Sequence, residues 1–262
     1  MKYKKILLFF LIALPLSIGL RLIQLLFTVE AKTGFFLPEF EKYGVYILVI
    51  IFAFSILTAI FAFSSHRSPQ NAPKPNIFMS VSAVLLSLSV FYEINNETFP
   101  LIIKEWQRNA LFIFAVATGV FFILFSAQRF IDFKLPRSFF IIPTVYFVAR
   151  VVCYFTATSS LALISDNLIL MATYIAILIF MLQFTKLYNN IDTERNFRKL
   201  MASGFASVIF CFTQSLPHII MNFVTDFGYQ HTSMIANITI LFTGIFILAF
   251  CLSHFSYKNA CE

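Results

Sequence analysis

Apolar residues run along this chain in eight long stretches separated by short polar ones. The stretches cover roughly residues 6–27, 43–63, 76–93, 109–127, 139–157, 167–185, 200–223 and 234–254. Each has the length of about 17–25 residues that a helix needs to cross the hydrocarbon core of a bilayer. Inside a bilayer no water satisfies the backbone, so a helix is the expected conformation of each stretch. The pattern predicts an all-α, polytopic membrane helix bundle with eight transmembrane helices, forming a single integral membrane domain over residues 1–262.

The seventh stretch departs from a purely apolar pattern. It carries Ser203, Ser207, Cys211, Gln214, His218 and Asn222, at successive offsets of 4, 4, 3, 4 and 4. Those offsets place all six on one helix face. A polar stripe on an apolar membrane helix must face protein or water, not lipid. The other helices are therefore expected to pack around this one.

The fourth and eighth stretches share a pattern. Thr118-Gly119-Val120-Phe121 with Phe125 and Phe130 matches Thr243-Gly244-Ile245-Phe246 with Phe250 and Phe255, 125 residues further on. In stretches one and five, Pro15 precedes Arg21 and Pro143 precedes Arg150, at separations of 128 and 129 residues. In the third and seventh, Met79–Ser89 pairs with Met201–Ser207. These offsets suggest a 4+4 parallel internal repeat with halves 1–134 and 135–262, one of the ways transporters are built. Chance similarity between Phe-rich helices is the competing explanation.

Composition reinforces the membrane assignment. The chain is 60% hydrophobic and 12% charged, with a mean hydropathy of +0.85. Soluble domains carry about 25% charged residues. The 36 phenylalanines suit lipid and a packed interior and do not call for a cofactor. Cys153, Cys211, Cys251 and Cys261 form no CxxC or Cys/His cluster and read as small packing residues.

The net charge of +7 is distributed by side. With the N-terminus inside, 13 of the 19 Lys and Arg residues fall in inner segments, four in outer loops and two, Arg21 and Arg150, within stretches. Eight of the 12 carboxylates fall outside. The positive-inside rule then places the chain in the cell membrane with both termini cytoplasmic. The basic start Lys2-Tyr3-Lys4-Lys5 and the apolar run Ile6–Leu16 also resemble a signal peptide. Apolar residues resume after Arg21 and favour retention of the first span.

The connections predict little chemistry. Residues 64–75 form a Pro-rich link, and 93–108 form the largest outer loop, within which Pro100–Arg108 reads as a short interfacial helix carrying Trp106. Asn96-Glu97-Thr98 fits a glycosylation sequon without more to support it. Lys186–Lys199, the most charged stretch, reads as a solvated cytoplasmic loop and a surface for a protein partner.

Candidate chemistry lies inside the stretches. Arg21 is about 22 Å into the first and Arg150 about 16 Å into the fifth, at 1.5 Å per residue. A charge at such a depth costs at least about 2–3 kcal/mol without a partner. His218 is about 27 Å into the seventh, flanked by Gln214 and Asn222, with Pro217 beside it. Proline removes an N–H and frees the carbonyl of Thr213, so a kink is expected there. With Gln24 and Tyr154, each about one turn from its arginine, the predicted ligand-binding site is Arg21, Gln24, Arg150, Tyr154, Gln214, His218 and Asn222. It should be cationic, hydrogen-bonding and open outward. In the competing account Arg21 snorkels to outer phosphates, Arg150 pairs with Asp166, Asp226 or Glu30 at the outer rim, and the polar residues are interhelical glue.

No Asp or Glu lies in the middle of a stretch, and no HExxH, GxSxG or Walker A motif occurs. Nothing points to a catalytic residue, a metal, a cofactor or nucleic acid. The expected function is a transporter or membrane solute-binding subunit for a small anionic or amphipathic ligand held in the outer half of the bundle. The alternative is a membrane sensor or accessory subunit acting through a protein partner at its cytoplasmic loops.

Overall fold

The computed structural model describes residues 2–30, 35–65, 75–95, 105–131, 133, 135–158, 165–191, 193–224 and 233–259. Among them are eight long helices: α1 (Lys2–Phe27), α2 (Glu41–Ser65), α3 (Ile77–Asn95), α4 (Glu105–Ala127), α5 (Ile141–Thr158), α6 (Ser165–Tyr188), α7 (Thr193–Val224) and α8 (Met234–Asn259). All eight are long and apolar enough to cross a membrane. A 3-10 turn, Arg137–Phe140, precedes α5. The described residues contain no strand, only an isolated antiparallel bridge between Val29 and Phe36.

Six helices close into a ring in the order α6, α7, α8, α3, α4, α5 and back to α6. The pair α1 and α2 packs outside this ring, against α7. Helix α7 is the inner element, touching α1, α2, α6 and α8. Its apolar window is 72% buried, against 28% for α1 and α2. The polar stripe has this consequence: a helix that cannot present its face to lipid is surrounded by others.

The two ends of the bundle differ. The proximal end holds the starts of α1, α3, α5 and α7, and it is filled by aromatic rings. Phe125 of α4 meets Phe184 and Tyr188 of α6 and Phe246 of α8, at centroid distances of 5.9, 5.9 and 6.0 Å. Phe140 stacks on Tyr188 at 4.3 Å. Edge contacts of this kind add about 0.5–1.5 kcal/mol each beyond burial. The distal end holds the ends of those helices and the buried charges.

Glycines set the closest approaches. A Cβ on Gly119 of α4 would lie 2.6 Å from the ring of Phe91 on α3, and one on Gly244 of α8 would lie 2.8 Å from Cys211 Cβ on α7. The matching Thr-Gly pairs thus serve the same packing of each fourth helix on its third. Thr118 and Thr243 also each bond the carbonyl four residues back. Other contacts differ between the halves, because α7 packs closely on α1, α2 and α6 whereas α3 packs closely on α4 and α8. The 4+4 repeat is not established by this arrangement.

Two expectations at the connections change. Lys186–Lys199 is mostly helical rather than a loop, since α6 reaches Tyr188 and α7 begins at Thr193. Hydropathy reports only the membrane part of α7, and the polar residues before Leu200 extend the helix beyond it. Asn190, at φ 57°, closes α6, and the Ile191 amide donates to the Lys186 carbonyl at 3.0 Å. Trp106 lies in the first turn of α4 rather than on a separate helix, while residues 96–104 of that loop, including the sequon, lie outside the described residues. The same holds for residues 66–74 of the Pro-rich link and for Cys261.

Gly244→Val should strain the α7–α8 contact by about 1–3 kcal/mol. The expected result is a lower thermal midpoint in detergent, measured by intrinsic fluorescence. An unchanged midpoint would mean that this approach is looser than the geometry shows.

Candidate functional site: two buried charge centres

The first centre joins α1, α6 and α7. Ser17, Arg21 and Gln24 recur on one face of α1, and all three are fully buried. Asp166 lies in the first turn of α6, where the helix dipole favours a carboxylate. Arg21 Nη2 forms an ion pair with Asp166 Oδ1, and Arg21 Nη1 donates to Gln24 Oε1. His218 Nε2 approaches the same Asp166 oxygen, at 3.6 Å. Gln24 Nε2 donates to the Gly44 carbonyl of α2 at 2.7 Å. A Cβ on Gly44 would collide with the Phe36 ring, so glycine admits that contact.

Gln214 lies one turn before His218 and is fully buried. Neither its Oε1 nor its Nε2 has a hydrogen-bond partner among the described residues. The hydroxyls of Ser17 and Thr213 are in the same condition. Pro217 lies inside α7 and deprives the Thr213 carbonyl of its usual donor four residues on. On the distal side the surroundings turn apolar, where Leu25, Val29 and Met221 pack together with Phe36.

The second centre joins α3, α5 and α6. Arg150 Nη1 donates to Glu93 Oε2 at 3.0 Å and to the Tyr146 hydroxyl at 2.6 Å. Arg150 Nη2 donates to Glu93 Oε1 at 2.5 Å and to the Tyr174 hydroxyl at 2.8 Å. This is a two-pronged arginine–carboxylate pair, the strongest form of such a contact. The guanidinium also lies 4.7 Å from the Tyr174 ring centre. Tyr154 stands between the centres. Its hydroxyl donates to Asn167 at 2.7 Å, beside Asp166, and its ring meets that of Tyr174 at 5.7 Å.

The seven expected site residues therefore do not form one cluster. Arg21, Gln24, Gln214 and His218 belong to the first centre and Arg150 to the second. Tyr154 lies between, and Asn222 is half-buried one turn beyond His218. Neither arginine leaves a surplus of positive charge, because each meets a carboxylate from another helix. Nor is either centre open outward: Arg21, Gln24, Asp166, Gln214 and His218 are fully buried, and Arg150 is 7% exposed. Arg150 pairs with Glu93 rather than with any of the rim carboxylates.

Sequence reasoning missed Glu93, Asn167, Tyr146 and Tyr174, and it named Asp166 only as a rim partner of Arg150 rather than of Arg21. The two carboxylates stand at the ends of their stretches and counted as loop residues. The signal for Tyr146 was present, since it precedes Arg150 by the same four residues by which Tyr154 follows it. Among the described residues no group of three or more His, Cys, Asp or Glu side chains is placed to hold a metal ion. What the first centre can do is exchange hydrogen bonds and charge with a small polar solute.

Arg150→Ala should cost about 3–5 kcal/mol, because it leaves Glu93 buried without its cation. The double variant Glu93→Gln/Arg150→Ala should recover much of that loss. A double-mutant cycle on thermal stability checks this, and additive effects would show that the pair is not coupled. No family model, curated protein or solved structure matches this chain.

Proposed function

We propose that this multi-pass membrane protein is a transporter or membrane solute-binding subunit. Its ligand is a small polar solute with an anionic group, held at Arg21, Gln24, Gln214 and His218. The observation that carries this reading is Gln214. A buried amide with neither polar atom bonded costs about 1–3 kcal/mol or more, which a purely structural residue has no reason to incur. A ligand that both donates and accepts would satisfy it, and His218, which shares Asp166 with Arg21, lies one turn on. Arg150 is reassigned from ligand binding to holding α3, α5 and α6 together.

The centre belongs to the outer half of the bundle if basic residues mark the cytoplasmic side. Arg129, Arg137, Arg195, Arg198 and Lys199 are all exposed at the proximal end, which supports that orientation and cytoplasmic termini. Parallel repeats, if the Thr-Gly correspondence reflects descent, would suit a transporter. A second reading, a sensor or accessory subunit with a protein partner, is favoured by the basic first turns of α7, which extend past the apolar run.

Gln214→Leu separates a ligand-binding role from a structural one. Removing an unbonded buried amide should leave the thermal midpoint unchanged or higher. Uptake of labelled small organic anions by proteoliposomes should fall at least about tenfold. A destabilised variant that retained full uptake would defeat the assignment.

A further inference from the structure

We propose that the connections at the proximal end of the bundle form a binding surface for anionic phospholipid headgroups, carried by Arg129, Arg137, Arg195, Arg198 and Lys199. The proposal does not depend on what the buried centres bind.

The packing of four elements brings these cations to one end of the molecule. Phe125 of α4 meets Phe140 of the 3-10 turn and Tyr188 of α6, at 6.3 and 5.9 Å between ring centres. Arg129 follows Phe125 by four residues, and Arg137 opens the turn that Phe140 closes. Thr185 ties that turn to α6, its hydroxyl donating to the Phe140 carbonyl at 2.6 Å. Helix α7 starts beside the same end of α6, where Asn196 Nδ2 donates to the Gln183 carbonyl at 3.0 Å. Asn196, Phe197 and Leu200 are buried, and Arg195, Arg198 and Lys199 share the exposed face of α7.

These charges are available. All five cations are exposed, and none has an ion pair or side-chain hydrogen bond among the described residues. The two connections, residues 128–137 and 186–199, hold seven basic residues against three acidic ones, so pairing within them cannot neutralise the surface. Their depth suits a headgroup. Arg195 lies five residues, about 7.5 Å, ahead of Leu200, where the apolar run begins. Arg129 is two residues beyond the end of α4. The polar layer on each side of the hydrocarbon is about 5–8 Å thick. Lipid phosphates therefore lie at the height of these guanidinium groups, which grip a phosphate through paired N–H donors.

Apolar neighbours favour a lipid over an acidic protein. Phe130, Ile131 and Ile191 stand beside the cations, outside the helices, and are 75%, 62% and 55% exposed. In water such side chains are a cost. At a membrane interface they meet acyl chains while the adjacent cations meet headgroups. A soluble acidic partner would satisfy the charges alone, whereas an anionic bilayer satisfies both.

The test uses the full chain purified in a neutral detergent. Its thermal midpoint is titrated at constant ionic strength with dioctanoyl phosphatidylglycerol, dioctanoyl phosphatidylcholine, glycerol 3-phosphate and hexaglutamate. Phosphatidylglycerol should raise the midpoint saturably, and the other three should not. Arg129→Gln/Arg137→Gln and Arg195→Gln/Arg198→Gln should each weaken the apparent Kd for phosphatidylglycerol at least about tenfold. Arg108→Gln, which removes an exposed cation at the distal end, should leave it unchanged. Should one double variant fail to fold, the other carries the test. Equal stabilisation by the two phospholipids, or an unaltered Kd in the double variants, would overturn the proposal. So would an effect of glycerol 3-phosphate equal to that of phosphatidylglycerol, which would make a free phosphate the ligand. Stabilisation by hexaglutamate alone would put an acidic protein in place of the lipid.

Discussion

A guanidinium keeps its charge in a bilayer, so each buried arginine must be met there by an anion. Arg21 is met by Asp166 from α6, and Arg150 by Glu93 from α3. Much of the distal half follows from these two pairs. The first holds α1 and α6 against α7. The second spans the interior of the six-helix ring, from α5 to α3, and adds Tyr174 from α6. Helix α6 serves both, carrying Asp166, Asn167 and Tyr174 along its first turns. A shift of α6 would therefore disturb both centres at once.

The proximal half is built on a different principle. Phenylalanine rings from α4, α6 and α8 and the 3-10 turn interlock without any polar atom to satisfy. Such packing is tolerant of medium but intolerant of displacement. Gly204 lets Cys251 and Phe180 approach closely enough to complete it. The molecule thus combines a tightly packed apolar end with an end where hydrogen bonds and charges set the geometry.

The two charge centres differ in how the polar groups around them are satisfied. Arg150 makes four hydrogen bonds from its terminal nitrogens. Nothing remains for a ligand to add. Beside Arg21, one carboxylate oxygen is approached by two potential cations, and the Gln214 amide and Ser17 hydroxyl lack partners among the described residues.

The sequence by itself determined the number of helices, their approximate limits and the inward position of α7. Those depend on local hydropathy and on the period of one polar stripe, both of which act along a single helix. It also located Arg21, Arg150, Gln214 and His218 as the costly residues, because burial of charge in a membrane is costly whatever the surroundings. It could not assign their partners, offering Asp166 to Arg150 rather than to Arg21 and passing over Glu93. Glu93 and Asp166 stand at helix ends, where a carboxylate reads as a loop residue, and only the packing of α3 and α6 carries them inside. Tyr174 likewise reads as one aromatic residue among many until the ring of helices brings it to Arg150. Tertiary structure alone decided that the arginines are neutralised separately, in two centres instead of one, because the choice of partner depends on which helices are neighbours, and helix neighbours are not written in any local pattern.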